Sequence, residues 1–97
     1  MKITDIDILG EPHTISYVDI KHHGIYTFGK ISIKKKDTKV CQLRTIVHEG
    51  GHGIFEQTGD PDRSIVEEDF ARLYELGIVD LVRNNWVVLE QLKEAVG

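Results

Sequence analysis

The first third of the chain alternates between apolar and polar positions. In Lys2-Ile3-Thr4-Asp5-Ile6-Asp7-Ile8 the apolar residues recur with short polar interruptions. Ile15, Tyr17 and Asp19-Ile20 continue a period near two after the turn signal Gly10-Glu11-Pro12. A third run, Ile25 to Ile33, carries Tyr26, Phe28, Ile31 and Ile33 and shifts phase at Gly29, which predicts a turn or a bulge there. Residues 1–34 therefore predict a small, mostly antiparallel sheet. From Thr38 the period lengthens: Val40, Leu43, Val47 and Ile54 fall at helical spacing, with Ile46 and Gly50 beside them. This predicts a helix over about 38–57, with Asp37 or Thr38 as N-cap, Gly59 as C-terminal cap and Pro61 as a stop. A second helix over about 62–85, starting at Pro61 or Asp62, places Val66, Phe70, Leu73, Tyr74 and Leu81 on one broad face, with Gly77 weakening its middle. Residues 86–97 form a short third helix or a docked tail, anchored by Trp86. The expected fold class is α+β.

Composition narrows this further. The 97 residues make one domain, 1–97, with a modest core and thin stability. Twelve Lys+Arg against sixteen Asp+Glu give a net charge of −4, which argues against a general nucleic-acid binder. Lys34-Lys35-Lys36 reads as a solvated turn rather than a phosphate site. Cys41 is the single cysteine, so no internal disulfide is available and a reducing, cytoplasmic setting is expected. Apolar runs of only a few residues do not predict a membrane span, and Met1 to Gly10 has no signal-peptide core.

The chemistry concentrates in His48-Glu49-Gly50-Gly51-His52, an H-E-x-x-H motif on the first predicted helix. Residues four apart share a helix face, so both imidazoles reach one ion. Zinc takes two such nitrogens in a tetrahedral site and needs a third protein ligand to leave a position for water. Glu49 is displaced by ~100° of helical rotation, which suits it to hydrogen-bond a zinc-bound water and act as general base. Shuffling this composition would produce the motif in roughly two sequences per hundred. With Val40 as origin, Leu43, Val47 and Ile54 lie within ~−60° to −20°, and His48 and His52 near ~80° and ~120°, flanking the expected buried stripe.

Gly50 and Gly51 cost roughly 1 kcal/mol each inside a helix, so another element or a peptide substrate is expected to approach this turn closely. Phe55 and Thr58 stand where the glycine and the third histidine of the longer zincin pattern would fall. The third ligand must come from elsewhere, and the nearest carboxylate cluster is Glu67-Glu68-Asp69, which an antiparallel helix pair would bring alongside. Helical phase favours Glu67, Asp69 is a further option, and all three acids also complement the helix dipole.

The whole chain resembles the short phage and prophage zincin-like metallopeptidases of the ImmA/IrrE type. The resemblance runs from Ile8-Leu9-Gly10-Glu11 through Gly29-Lys30-Ile31 to Thr45-Ile46-Val47-His48-Glu49, and again from Leu76-Gly77-Ile78 to Arg83-Asn84-Asn85. It implies a minimal zincin-like domain, zinc ligation by His48 and His52, and catalysis by Glu49. Glu68-Asp69-Phe70-Ala71 looks like the E-x-x-A stretch of zincins that use glutamate, which points to Glu68 as third ligand, against the phase argument for Glu67. Gly50-Gly51 departs from the bulkier apolar residues common at these positions. The implied function is a narrow-specificity regulatory protease of phage or prophage origin, acting on a protein or peptide substrate such as a repressor-like regulator. A non-catalytic zinc-binding regulator that holds a protein partner is the alternative. A purely structural zinc closed by His22 or His23 is a third. Elsewhere, His13, His22 and His23 read as solvated, Tyr26 and Tyr74 as core residues with a possible oxyanion role, and Cys41 as a small buried hydrophobe.

Overall fold

The computed structural model describes residues 2–58 and 66–97. Four strands, β1 (Asp5–Ile8), β2 (Glu11–Val18), β3 (Gly24–Thr27) and β4 (Lys30–Lys34), precede three helices, α1 (Lys39–Thr58), α2 (Glu67–Asn84) and α3 (Trp86–Val96). The architecture is α+β, and the sheet has the order β1-β2-β4-β3. Pairs β1/β2 and β3/β4 are antiparallel, while β2 and β4 run parallel through Thr14↔Lys30 to Val18↔Lys34. The sheet is therefore mixed, built from two hairpins joined side by side.

Each hairpin is closed by residues suited to a tight turn. Leu9 and Gly10 both adopt positive φ (51° and 87°), as a two-residue hairpin turn twisted to match its strands requires. The Asp7 carboxylate accepts the Gly10 N–H at 2.7 Å. Glu11 and Pro12, expected in the turn, instead open β2. At Gly29 the expected phase break is a turn between β3 and β4, with φ of 83°.

One sheet face is apolar. Ile15, Ile31 and Ile33 are buried with Ile8 and meet Ile46 of α1, while Ile6, Tyr17, Tyr26 and Ile54 pack around them. Truncating Ile31 or Ile33, both fully buried, to Ala would cost about 2–5 kcal/mol.

Thr38 Oγ1 accepts the Cys41 N–H at 3.2 Å and so caps α1. At the other end the Gln57 side-chain amide donates to the Ile8 carbonyl at 2.9 Å, tying the helix to β1. The cap expected at Gly59 and the stop at Pro61 lie outside the described residues. So does the expected start of the second helix at residues 61–62. Val66, expected on that helix's apolar face, is extended (φ −72°, ψ 137°) and precedes it.

The buried stripe of α1 differs from the one hydrophobic spacing predicts. Val40 is 68% exposed and Leu43 39%, whereas Thr45, Ile46, Glu49, Gly50 and Gly53 are buried. These five centre on a direction roughly opposite Val40, at ~100° per residue. They face the sheet, where Gly53 allows close approach and supplies no hydrophobic signal. A Cβ at Gly53 would lie 2.9 Å from the Ile8 Cδ1. α2 covers a second face of α1, where Phe55 meets Phe70 at 5.5 Å between centroids. Ala71, not Leu73, is the fully buried residue of α2; Leu73 is 58% exposed. Trp86 is half-exposed at the start of α3 and does not anchor it.

Candidate metal centre

α1 lies between the sheet and α2, and His48 and His52 project from it toward the first turn of α2. Helical spacing puts both imidazoles on one side, and the antiparallel return of the chain brings Glu68 against them. His48 Nε2 lies 2.9 Å from Glu68 Oε1, and His52 Nε2 lies 3.0 Å from Glu68 Oε2. The three residues form a group able to hold a metal ion. Glu67 approaches only His52, at 3.8 Å, and Asp69 pairs with Arg72 at 3.6 Å.

Glu75 and Arg44 complete this arrangement, and neither is singled out by the sequence motif. Glu75 Oε1 lies 3.2 Å from His48 Nδ1, and Arg44 Nε donates to Glu75 Oε2 at 2.8 Å. A carboxylate on the second imidazole nitrogen fixes the ring's tautomer and orientation and raises its basicity as a ligand. A signal for this residue existed in the spacing, since Glu75 follows Glu68 by seven and so falls on the same helix face two turns later.

Glu49, between the two histidines in sequence, is 6% exposed. Burial pushes its carboxyl above the ordinary range. His52 and His48 oppose that shift, and Glu68 adds to it. The result is a carboxylate more basic than a solvated one. Gly24, at the start of β3, packs directly onto this part of α1: a Cβ there would collide with Thr45 Cγ2 and stand 3.3 Å from Glu49 Cγ.

The two unexpected glycines have different surroundings. A Cβ on Gly51 would meet the Ala71 Cα at 3.1 Å and the Tyr74 Cδ1 at 3.3 Å, so the close approach expected here is made by α2. A Cβ on Gly50 would meet nothing within 4 Å.

The remaining candidates separate. Tyr26 stacks near His52, with centroids 6.5 Å apart, and its hydroxyl lies 3.3 Å from His13 Nε2. Burial raises its phenol pKa, and the Glu56 and Glu67 carboxylates raise it further, which keeps the proton on oxygen. Tyr74 stacks on Phe70 in the helix interface. His13 is not solvated: it is 1% exposed and bonded to the Glu11 carbonyl at 2.9 Å. His23 does not close the His48–His52 group, because its Nδ1 pairs with Asp37 at 2.8 Å. Cys41 is half-buried beside that pair rather than in the apolar core.

An open cleft of about 740 Å³ runs over this surface, lined by His48, Glu49, Glu68 and Glu75 at one end and His23 and Cys41 at the other. No helix among the described residues is long and apolar enough to cross a membrane. Comparison with protein-family models, curated proteins and solved structures finds no match to this chain.

Proposed function

We propose that this protein is a zinc-dependent metallopeptidase, a minimal zincin of the ImmA/IrrE type. The observation that carries the proposal is the convergence of His48 Nε2 and His52 Nε2 on the Glu68 carboxylate, with buried Glu49 on the same helical turn. Two imidazoles and a carboxylate are the donor set of a catalytic zinc site with one position left open. When bound, zinc supplies a Lewis acid that polarises a carbonyl and brings the pKa of water down to ~7.

The protein's own residues account for the rest. His48 and His52 bind through Nε2, and Glu75 holds His48 through Nδ1 while Arg44 holds Glu75. The Glu49 carboxylate accepts the proton of the attacking water and returns it to the leaving amine. The Tyr26 hydroxyl retains its proton and is held by His13 Nε2, with its ring beside His52. A cleft open along its length suits an extended protein segment, and the small domain leaves much of the selectivity to the substrate, for which a repressor-like regulator is our expectation.

Metal analysis of protein purified without chelator, combined with Glu49→Gln, tests this. Near-stoichiometric zinc and a Glu49-dependent cleavage are expected. Absence of zinc, or cleavage unchanged in Glu49→Gln, would overturn the reading.

A second reading, a zinc-binding regulator that holds a partner without cutting it, draws on a separate observation. Leu73, Leu76, Trp86, Val87, Val88 and Leu92 are all about half or more exposed on α2 and α3. Stable capture of a partner by the zinc-loaded protein with the partner left intact would favour it.

A further inference from the structure

His23, Asp37 and Cys41 come from three different places: the β2–β3 connection, the β4–α1 connection and the first turn of α1. We propose that they form a second metal site, for a divalent ion of borderline softness such as Zn²⁺, distinct from the His48–His52–Glu68 group. His23 Nδ1 lies 2.8 Å from Asp37 Oδ2, Cys41 Sγ lies 3.4 Å from the same oxygen, and Cys41 Sγ lies 3.7 Å from His23 Nδ1.

A tetrahedral ion with bonds of about 2.0–2.1 Å to N and O and about 2.3 Å to S spaces its ligands at about 3.3 Å for N···O and about 3.5–3.6 Å for both S···O and S···N. Both sulfur distances already match to within about 0.2 Å. Only the imidazole and carboxylate must separate, by about half an ångström. His23 can move to allow this, since its side chain is 70% exposed.

The backbones that carry the ligands are fixed. The His23 carbonyl accepts the Lys34 N–H at 2.9 Å, Asp37 N–H donates to the Lys34 carbonyl at 3.2 Å, and Cys41 N–H donates to Thr38 Oγ1 at 3.2 Å. Thr45 Oγ1 donates to the Cys41 carbonyl at 2.8 Å. Little ordering is therefore left for an ion to impose. Thiolate, imidazole and carboxylate together select Zn²⁺ or Co²⁺ over Mg²⁺ or Ca²⁺, which prefer all-oxygen shells. Two anionic ligands balance a divalent charge. The bound ion clips the β2–β3 connection to the N-terminus of α1, across 18 residues of sequence, and forms one wall of the cleft that reaches Glu49.

The chemistry gives this site its own spectroscopic signature, because Cys41 is the only cysteine and the His48–His52–Glu68 group contains no sulfur. Co²⁺ is titrated into reduced, metal-free protein and into His48→Ala/His52→Ala. A near-ultraviolet thiolate-to-cobalt charge-transfer band is expected in both, saturating at one equivalent in His48→Ala/His52→Ala, and Zn²⁺ should displace it. Cys41→Ser should abolish the band. His23→Ala and Asp37→Asn should each weaken Co²⁺ binding by more than about tenfold, a loss seen even for residues that only orient a ligand. Lack of a band in folded wild-type protein, or a band indifferent to both His23→Ala and Asp37→Asn, would overturn the proposal. Both results are independent of whether the His48–His52–Glu68 group binds zinc or cleaves anything.

Discussion

Replacing the adjacent glycines of α1 one at a time should move stability in opposite directions. Alanine in a helix interior is favoured over glycine by roughly 1 kcal/mol. At Gly50 the added methyl meets nothing within 4 Å, so Gly50→Ala should realise that gain almost fully. At Gly51 the same methyl meets the backbone Cα of Ala71 at 3.1 Å and the Tyr74 ring at 3.3 Å. The first of these contacts cannot be relieved by a rotamer change; α2 must shift. Overpacking of this kind costs typically about 1–3 kcal/mol, which exceeds the propensity gain and leaves a net loss of about 1 kcal/mol.

For a domain of this size, 1 kcal/mol corresponds to about 4–8 °C in Tm. Thermal unfolding followed by circular dichroism, with chelator present so that metal binding does not contribute, should place Gly50→Ala above wild type and Gly51→Ala below it. A shift of α2 also carries Glu68 away from His48 and His52, so Gly51→Ala should weaken metal binding while Gly50→Ala leaves it unchanged. Equal Tm values for the two variants, or a more stable Gly51→Ala, would refute the claim that α2 packs against Gly51.

Further outcomes follow from individual contacts. Glu75→Ala, which strips His48 of its Nδ1 partner, should lower metal affinity about 10–100-fold in competition with a chelator of known strength, without removing the ligands themselves. Gly24→Ala should destabilise by about 1–3 kcal/mol through its collision with the Thr45 methyl, and adding Thr45→Ser should recover part of that loss; strictly additive effects in the double-mutant cycle would contradict the contact. Glu49→Gln should stabilise the metal-free protein at neutral pH. A carboxyl whose folded pKa is raised leaves folding unaffected below its unfolded pKa of about 4.3 and opposes it as pH rises through the raised value. The advantage of Glu49→Gln in chemical denaturation should therefore vanish below about pH 4, and an advantage that persists there would have another cause.

Local spacing made the elements legible. The period-two runs marked the strands, Gly10 and Gly29 marked positive-φ turns, and Thr38 marked the N-terminus of α1. The buried face of α1 was hidden, because it is built from Thr45, Glu49, Gly50 and Gly53 around a single Ile46. Hydrophobic periodicity finds a face that is greasy, and this one is buried by being small. For the same reason buried Ala71 carries little hydrophobic signal and exposed Leu73 carries a strong one. The parallel pairing of β2 with β4 was also not legible, since either neighbour relation leaves the same alternation along each strand.

What the sequence determined by itself is the pairing of His48 with His52 and the offset of Glu49, because three residues on one helical turn have their relative directions set by backbone geometry alone. Which acid faces those histidines depends on the crossing of α1 and α2, set by the approach of Ala71 and Tyr74 to Gly51 and by the stacking of Phe55 on Phe70. That crossing brings Glu68 between both rings, leaves Glu67 at the margin, and sets Glu75 behind His48. The meeting of His23, Asp37 and Cys41 likewise depends on two connections closing over the start of α1. Relations within one helical turn are local and survive in the sequence pattern. Those between elements arise from packing, and only the folded chain decides them.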